Sequence, residues 1–534
     1  MKNFRFLLGL GVVAILCISN TRAQQKQKKP NIVFLFADDW GRYASIYNEW
    51  DGRTGVNSVI NTPNFDRIAE DGVLFTRAYA PAPSCTPCRS SILSGQYFYR
   101  TGQGAILHGA QWDASIPSYP LILKDHGYHI GFTYKCWSPG TPRDAPYGAR
   151  ASEYETAGTN FNRFSQFVSH ATNPEKAKQE LLDEVEGNFE AFLKDRKPGQ
   201  PFCYWFGPTN THRSWTQGSG KDLWGLEPDR LKGRMPAFLP DVPVIREDFN
   251  DYLGEVLAWD AAIGTIFEKL RQTGELNNTL VVISGDHGIP GFPRAKTNLY
   301  DLGTSVALAA YWPEKIEAGQ VSHAFVNLMD LAPTFLVAAG VKPPEMMNGK
   351  SLMPLLTGRN KEISHRGFEY VLTGRERHVA TAREDNLPYP QRALRVDGFL
   401  YIRNFTPWRW PIGTLEKGLR DIDNGPTKSY FVRNHDNPEM QKQWALAFGK
   451  RPYEELYDLK EDPDQMHNVA GKKGYGNVLH QLSEKMDSVL RATGDPRINT
   501  FDRIPYTITN ERLNKRQKDV EKHFQKIMDE SRQR

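Results

Sequence analysis

The chain has 534 residues, enough to bury more than one hydrophobic core, which predicts a large α/β domain with a smaller companion. Its 67 basic and 62 acidic residues give a formal charge of +5, and removing residues 1–23, which hold Lys2, Arg5, Arg22 and no acid, leaves +2. Bulk charge therefore excludes a polyanion-binding protein of the strongly basic kind, and no nucleic-acid partner is expected.

Residues 1–23 combine Lys2 and Arg5 with a short apolar run and a small residue, Ala23, ahead of Gln24 and Gln25. This is the pattern of a cleaved secretory signal, and it predicts a periplasmic or secreted protein. Lipoprotein processing at Cys17 is disfavoured by the bulky Leu16 before it. No second apolar span follows, so the mature chain is expected to be free of membrane-crossing segments. The four remaining cysteines, Cys85, Cys88, Cys136 and Cys203, have spacings of neither a disulfide framework nor a zinc cluster.

After a basic leader comes N-I-V-F-L-F-A-D-D-W, an apolar run suited to a strand covered on both faces, with Asp38 and Asp39 at its C-terminal end. That end is where open α/β sheets place ligands. A helix is predicted after Pro63, with Phe65, Ile68 and Ala69 at helical spacing. Next is Ser84–Gly95, S-C-T-P-C-R-S-S-I-L-S-G, which reads as a helix closed by Gly95, with Cys85 and Arg89 in its first turns. A cysteine at a helix start lies where backbone N–H groups favour an anion, although a buried structural cysteine gives the same local pattern.

Residues 121–137 read as helix, glycine turn and strand, with Lys135 at the strand's end, and an amphipathic helix is predicted from about Lys176 to Arg196. P-F-C-Y-W-F-G-P-T-N-T-H-R is a further buried strand leading to His212, followed by a Pro-, Gly- and Trp-rich excursion over residues 215–245 that is expected to cover the site. Leu253, Val256, Leu257, Ile263, Ile266, Phe267 and Leu270 share one helical face, and T-L-V-V-I-S-G-D-H-G is then a strand ending in Asp286 and His287. Lys296 follows in a loop, and V-A-L-A-A-Y-W-P is another strand. Beyond residues 360–365 shorter strand-like runs predict a smaller antiparallel subdomain. The predicted organisation is thus residues 24–365 as a doubly wound mixed or parallel sheet between helices, residues 366–505 as an α+β subdomain, and 506–534 as a charged helical tail.

Asp38, Asp39, Cys85 to Arg89, Lys135, His212, Asp286, His287 and Lys296 all fall at predicted strand ends or beside them. Each alone is ordinary turn chemistry; together they predict one rim of one sheet. Three carboxylates suit a hard cation such as Ca²⁺ or Mg²⁺.

C-x-P-x-R with a glycine six residues after the arginine resembles the signature of the type I sulfatases of the alkaline phosphatase superfamily. D-H-G-I-P-G-F-P-R-A-K-T-N-L-Y-D-L-G-T, N-F-D-R-I-A and E-L-Y-D-L-K-E-D-P extend that resemblance over roughly residues 30–470, and the first two are similar to sulfamidase-type members. The resemblance implies an alkaline phosphatase-like fold and a formylglycine (3-oxoalanine) made from Cys85 by a maturase. It also implies a calcium ion, with magnesium as the alternative, held by Asp38, Asp39, Asp286, His287 and the oxygen at position 85. Many members have Asn where His287 stands.

By the same resemblance Arg89 holds the nucleophile, Lys135 and Lys296 clamp the sulfate, and His212 protonates the leaving group. The implied substrate is a sulfated mono- or oligosaccharide, with glucosamine-linked sulfate of heparin or heparan type as a candidate. The family's K-x-H appears here as Lys135, Cys136 and Trp137, so the assisting histidine is missing. Glu369, Arg375, His378 and Arg392 in the smaller subdomain are candidate sugar readers, with a solvated charged loop as the other reading. Two alternatives stand beside the sulfatase: a phosphomonoesterase or phosphodiesterase, which would use Ser or Thr as nucleophile, and a non-catalytic glycan-binding protein on the same scaffold.

Overall fold

The structure is a computed structural model describing residues 28–52, 55–142, 145–148, 152–358 and 366–500. The predicted secretory leader with Cys17, the break at 360–365 and the predicted tail 506–534 lie outside these residues.

Strand β1 (Asn31–Ala37) sets the layering, because every one of its residues is buried. Val33, Leu35 and Ala37 point into one apolar cluster and Ile32, Phe34 and Phe36 into another. A strand with period-two side chains and no polar face must be covered on both sides. Helices do so: Pro174–Asp195 and Pro243–Gln272 pack on the first face, and Cys85–Ser94, Tyr119–Asp125 and Leu331–Ala338 on the second.

The main sheet adds β2 (Val73–Tyr79), β3 (His129–Tyr134), β4 (Phe202–Gly207), β5 (Thr279–Gly285), β6 (Ser305–Tyr311), β7 (Gln320–Ser322) and β8 (Val326–Asn327). Its order is β3-β4-β1-β5-β6-β2-β7, with β8 also on β2. β3, β4, β1 and β5 run parallel, whereas β6 is antiparallel to both β5 and β2. The mixed α/β architecture agrees with the sequence reading.

β9 (Tyr370–Arg375), β10 (Gln391–Val396), β11 (Phe399–Asn404) and β12 (Glu454–Asp458) form a separate antiparallel sheet ordered β12-β11-β10-β9. One face carries Leu372, Leu394, Tyr401 and Leu456 against Leu482, Met486 and Leu490 of the helix Gly476–Thr493. The other face presents Ala393, Leu400, Ile402 and Tyr457 to Leu299 and Tyr300, just beyond Lys296. The small sheet is thereby tied to the loop that carries one of the predicted site residues. The excursion after His212 is ordered, but it is anchored along the helix Pro243–Gln272, where the Gly218 and Gly220 amides donate to Asp251. Among the described residues no helix is long and apolar enough to cross a membrane.

Candidate active site

Parallel pairing brings the predicted residues together. The last rungs of the ladders join Tyr134 to Gly207 and Ala37 to Gly285, so Lys135, Asp38 and Asp286 emerge side by side as the next residues of their chains. The crowding there requires glycine: a Cβ on Gly285 would lie 2.0 Å from the Trp40 carbonyl oxygen, and one on Gly207 would lie 2.1 Å from that of Lys135. Three non-glycine residues at the rim adopt left-handed backbone, Asp39 at φ 57°, Tyr134 at 67° and Thr297 at 74°. Such conformations cost free energy and gather at functional sites, and the β-branched Thr297 is the least tolerant of the three.

The helix Cys85–Ser94 begins at extended Ser84 and ends at left-handed Gly95. Cys85 is 3% exposed, with Sγ 3.4 Å from His287 Nε2 and 3.8 Å from Asp39 Oδ1. One turn further on, Arg89 donates from Nε to Asp286 (3.0 Å) and from Nη2 to Asp38 (3.1 Å). Lys135 Nζ reaches both Asp38 oxygens at 2.6 and 2.7 Å, and Lys296 Nζ lies 2.9 Å from Asp39 Oδ2. His212 Nε2 is 3.8 Å from Asp39 Oδ2, and its Nδ1 donates to the Arg213 carbonyl at 2.6 Å, which leaves Nε2 as the atom that can exchange a proton.

Three buried carboxylates thus face three buried or nearly buried cations. Burial alone would raise the Asp38 pKa, but Lys135, Arg89 and His212 outweigh it and hold the carboxyl well below its ordinary range. Asp286 moves the other way, raised by burial and by neighbouring Asp38 and Asp39 against the pull of His287 and Arg89. Burial lowers Lys296, yet Asp39 and Asp423 raise it further, so its ammonium stays charged. The Cys85 thiol is pushed up by burial and then by Asp38. It is held as a thiol, not poised as a thiolate.

Asp39, Cys85, Asp286 and His287 bring one ligand atom each within 4.8 Å of one another, and Asp38, Asp39 and His212 do likewise. Carboxylate oxygens supply two of the four donors in the first group and two of the three in the second, which suits a hard divalent cation; sulfur at position 85 is the one soft donor, and an oxygen there would improve the match.

The structure separates the four proposed sugar readers. His378 joins the site region: its Nδ1 is 2.8 Å from the Oγ of Ser84, the residue before Cys85. Glu369 is exposed, and its carboxylate accepts the Gly367 amide. Arg375 is buried and donates to the Thr297 and Pro411 carbonyls and to Asp421. Arg392 corrects the sequence reading. Arg392 is fully buried, with every guanidinium nitrogen on Asp495, Glu376 or a backbone carbonyl. Arg392 has no donor left for a ligand, whereas the buried Arg375 keeps an unbonded Nε.

Two site features escaped the sequence reading. Asp423 Oδ2 lies 3.2 Å from Lys296 Nζ, although D-I-D-N carries no local signal of such a role. Trp137, which stands where a histidine was expected, is wholly buried, donates to Ser90 Oγ at 2.9 Å and packs edge-on against Trp112. The tryptophan props the back of the helix Cys85–Ser94.

An oxygen-rich cation site, a helix-start cysteine and clamping cations at the rim of a mixed α/β sheet define a hydrolase of anionic esters with alkaline phosphatase-like architecture. The sulfatase family model matches residues 30–341, and the chain belongs to that family. It is 30% identical over 475 residues to an ulvan-active sulfatase of Formosa agariphila, covering 88% of this chain and 81% of the relative. Human N-sulphoglucosamine sulphohydrolase is 28% identical over 494 residues, covering 87% and 91%. A solved protein in complex with its substrate D-glucosamine-2-N,6-O-disulfate superposes with a TM-score of 0.58 at 20% identity, covering 88% of this chain and 99% of that one, a likeness of fold.

Proposed function

We propose that the protein hydrolyses sulfate from a sulfated mono- or oligosaccharide, with glucosamine-linked sulfate of heparin or heparan type as the first candidate. The proposal includes a secreted or periplasmic location and a maturase that converts Cys85 to formylglycine. The carrying observation is the set of cations Arg89, Lys135 and Lys296 gathered with Cys85 at the rim, Arg89 paired with Asp38 and Asp286, Lys135 with Asp38 and Lys296 with Asp39. A divalent ion, calcium first and magnesium second, would be held by those carboxylates with His287 and position 85.

A hydrated aldehyde at position 85 supplies a hydroxyl nucleophile and a second hydroxyl whose deprotonation expels sulfate, and the cation supplies Lewis-acid polarisation. Every other contribution comes from the chain itself. Lys135 and Lys296 bind the sulfate oxygens and stabilise the charge that grows on them during transfer. Arg89 fixes Asp38 and Asp286 and keeps the nucleophile in line. His212, 31% exposed in its side chain and with Nε2 directed at the rim, gives a proton to the departing sugar oxygen or nitrogen.

The test is mass spectrometry of the peptide around residue 85 together with turnover of 4-nitrophenyl sulfate and a panel of defined sulfated glucosamines. Conversion of Cys85 with sulfate release that chelation abolishes and calcium restores is the expected result. An unmodified thiol with release of phosphate from phosphoesters would replace this reading with a phosphoesterase.

A further inference from the structure

Asp423 lies between β11 and β12, 127 positions beyond the lysine that it contacts. Its place is built from both sides. Asp421 is gripped by Arg375 and Arg383 and by the Val379 amide, while Lys428 Nζ donates to the Ile422 carbonyl at 3.1 Å and to Asn424 Oδ1 at 2.9 Å. The Lys296 loop is stitched to the same point, since Thr297 Oγ1 donates to the Asp421 carbonyl at 2.7 Å. Asp423 is therefore positioned as firmly as a residue on a strand.

Neutralising Lys296 does not require it, because Asp39 already lies 2.9 Å from that ammonium. Asp423 is also the outer partner: its side chain is 27% exposed and that of Lys296 is 4% exposed. His212 and His378 lie close enough, with Lys296, to hold its carboxyl far below the ordinary range despite burial. A permanently ionised carboxylate thus stands at the open side of the sulfate-clamping lysine and beside the proton donor for the leaving group.

We propose that Asp423 is a specificity-determining residue that accepts a hydrogen bond from a hydroxyl or ammonium next to the scissile sulfate, and that it repels a second sulfate or carboxylate at that position. The inference rests on the sulfatase reading and adds to it the class of sugar: one with a neutral or cationic neighbour beside the group removed. A charge-assisted hydrogen bond favours such a substrate, whereas two anions a few ångströms apart in a partly dry site disfavour each other.

The experiment compares wild type, Asp423→Asn and Asp423→Ala on glucosamine N-sulfate, glucosamine 6-O-sulfate, the disulfate that adds a sulfate on the hydroxyl adjacent to the better of these two (N,3-O or 4,6-O) and 4-nitrophenyl sulfate, which has no neighbouring hydroxyl. In both variants kcat/KM for the better monosulfated sugar relative to the aryl sulfate should fall about ten- to a hundredfold, and preference for mono- over disulfated sugar should narrow by a similar factor. Parallel losses on all four substrates would overturn the inference, since Asp423 would then only hold Lys296; so would unchanged ratios. Calorimetric binding of the same sugars to Cys85→Ala protein, with and without Asp423→Asn, reads the preference without turnover. If wild type released no sulfate while this preference was present and lost with Asp423, the catalytic proposal would fail and the recognition proposal would stand.

Discussion

Among the described residues two buried ion networks stand out, one at the rim of the large sheet and one behind the small sheet, and both pair carboxylates with basic side chains. Behind the small sheet Arg392 and Arg497 share Glu376, and Arg392 also takes Asp495, with all four side chains almost or fully sealed from solvent. The guanidinium of Arg392 is used up internally. At the rim the partners are ammonium groups with spare donors, a half-open histidine and a cysteine at a helix start. Burial and charge alone do not mark a binding site; unspent hydrogen-bonding capacity facing one opening does.

The comparison can be broken most sharply at Cys85. Cys85→Ala should lower sulfate release by about 10⁴-fold or more, because it removes the group from which the proposed nucleophile is made, while the thermal midpoint shifts by no more than a few degrees. Retention of even a tenth of the activity would remove Cys85 from the chemistry. Arg392→Met should do the reverse. It strands the Asp495 carboxylate, takes one of two arginines from Glu376 and should cost about 3–5 kcal/mol in denaturant unfolding, with kcat per folded molecule within a factor of about three. A large loss of kcat with intact stability would make the rear network functional after all.

Lys135→Ala tests the front network at intermediate strength. Loss of one transition-state cation should reduce kcat about 10²–10³-fold, with a smaller change in KM. A rise in KM alone would mean that Lys135 serves only binding. The smallest effect belongs to Asp421, whose carboxyl is pushed down to about 2 because Arg383 and Arg375 outweigh the effect of burial. A depressed carboxyl contributes stability above its unfolded pKa, near 4, and loses it as pH falls through the folded value. Asp421 should therefore contribute about 2–3 kcal/mol at pH 7 that disappears between roughly pH 4 and 2. Asp421→Asn should flatten that part of the acid-unfolding curve, and an unchanged curve would show that the pair does not carry the pH dependence.

Much of this was legible in the residues. The wholly apolar β1, the helix Pro243–Gln272 and the carboxylates that follow strands have periodic or positional signatures, and parallel topology turns five scattered segments into one rim. Arg392 misled because an arginine in a polar-looking strand reads as exposed, and its partner Asp495 is 103 positions away. Asp423 was invisible for the same reason. Only the packing of the small sheet on Leu299 and Tyr300 brings it to Lys296. Trp137 was noticed as a departure, but its role as a buried prop with Ser90 needs three dimensions.

Strand β1 has one more consequence, for the order in which the chain is made. It is the first strand synthesised, yet its two neighbours are β4 and β5, and its pairing with β5 joins Asn31 to Thr279. Translation of the intervening stretch of about 250 residues takes roughly 10–50 s at ordinary elongation speeds. Until β4 is made N-I-V-F-L-F-A has neither neighbouring strand, until β5 is made one edge stays open, and it contains no charge or proline to discourage self-pairing. The segment that anchors the finished enzyme is thus the one that most needs protection in the nascent chain.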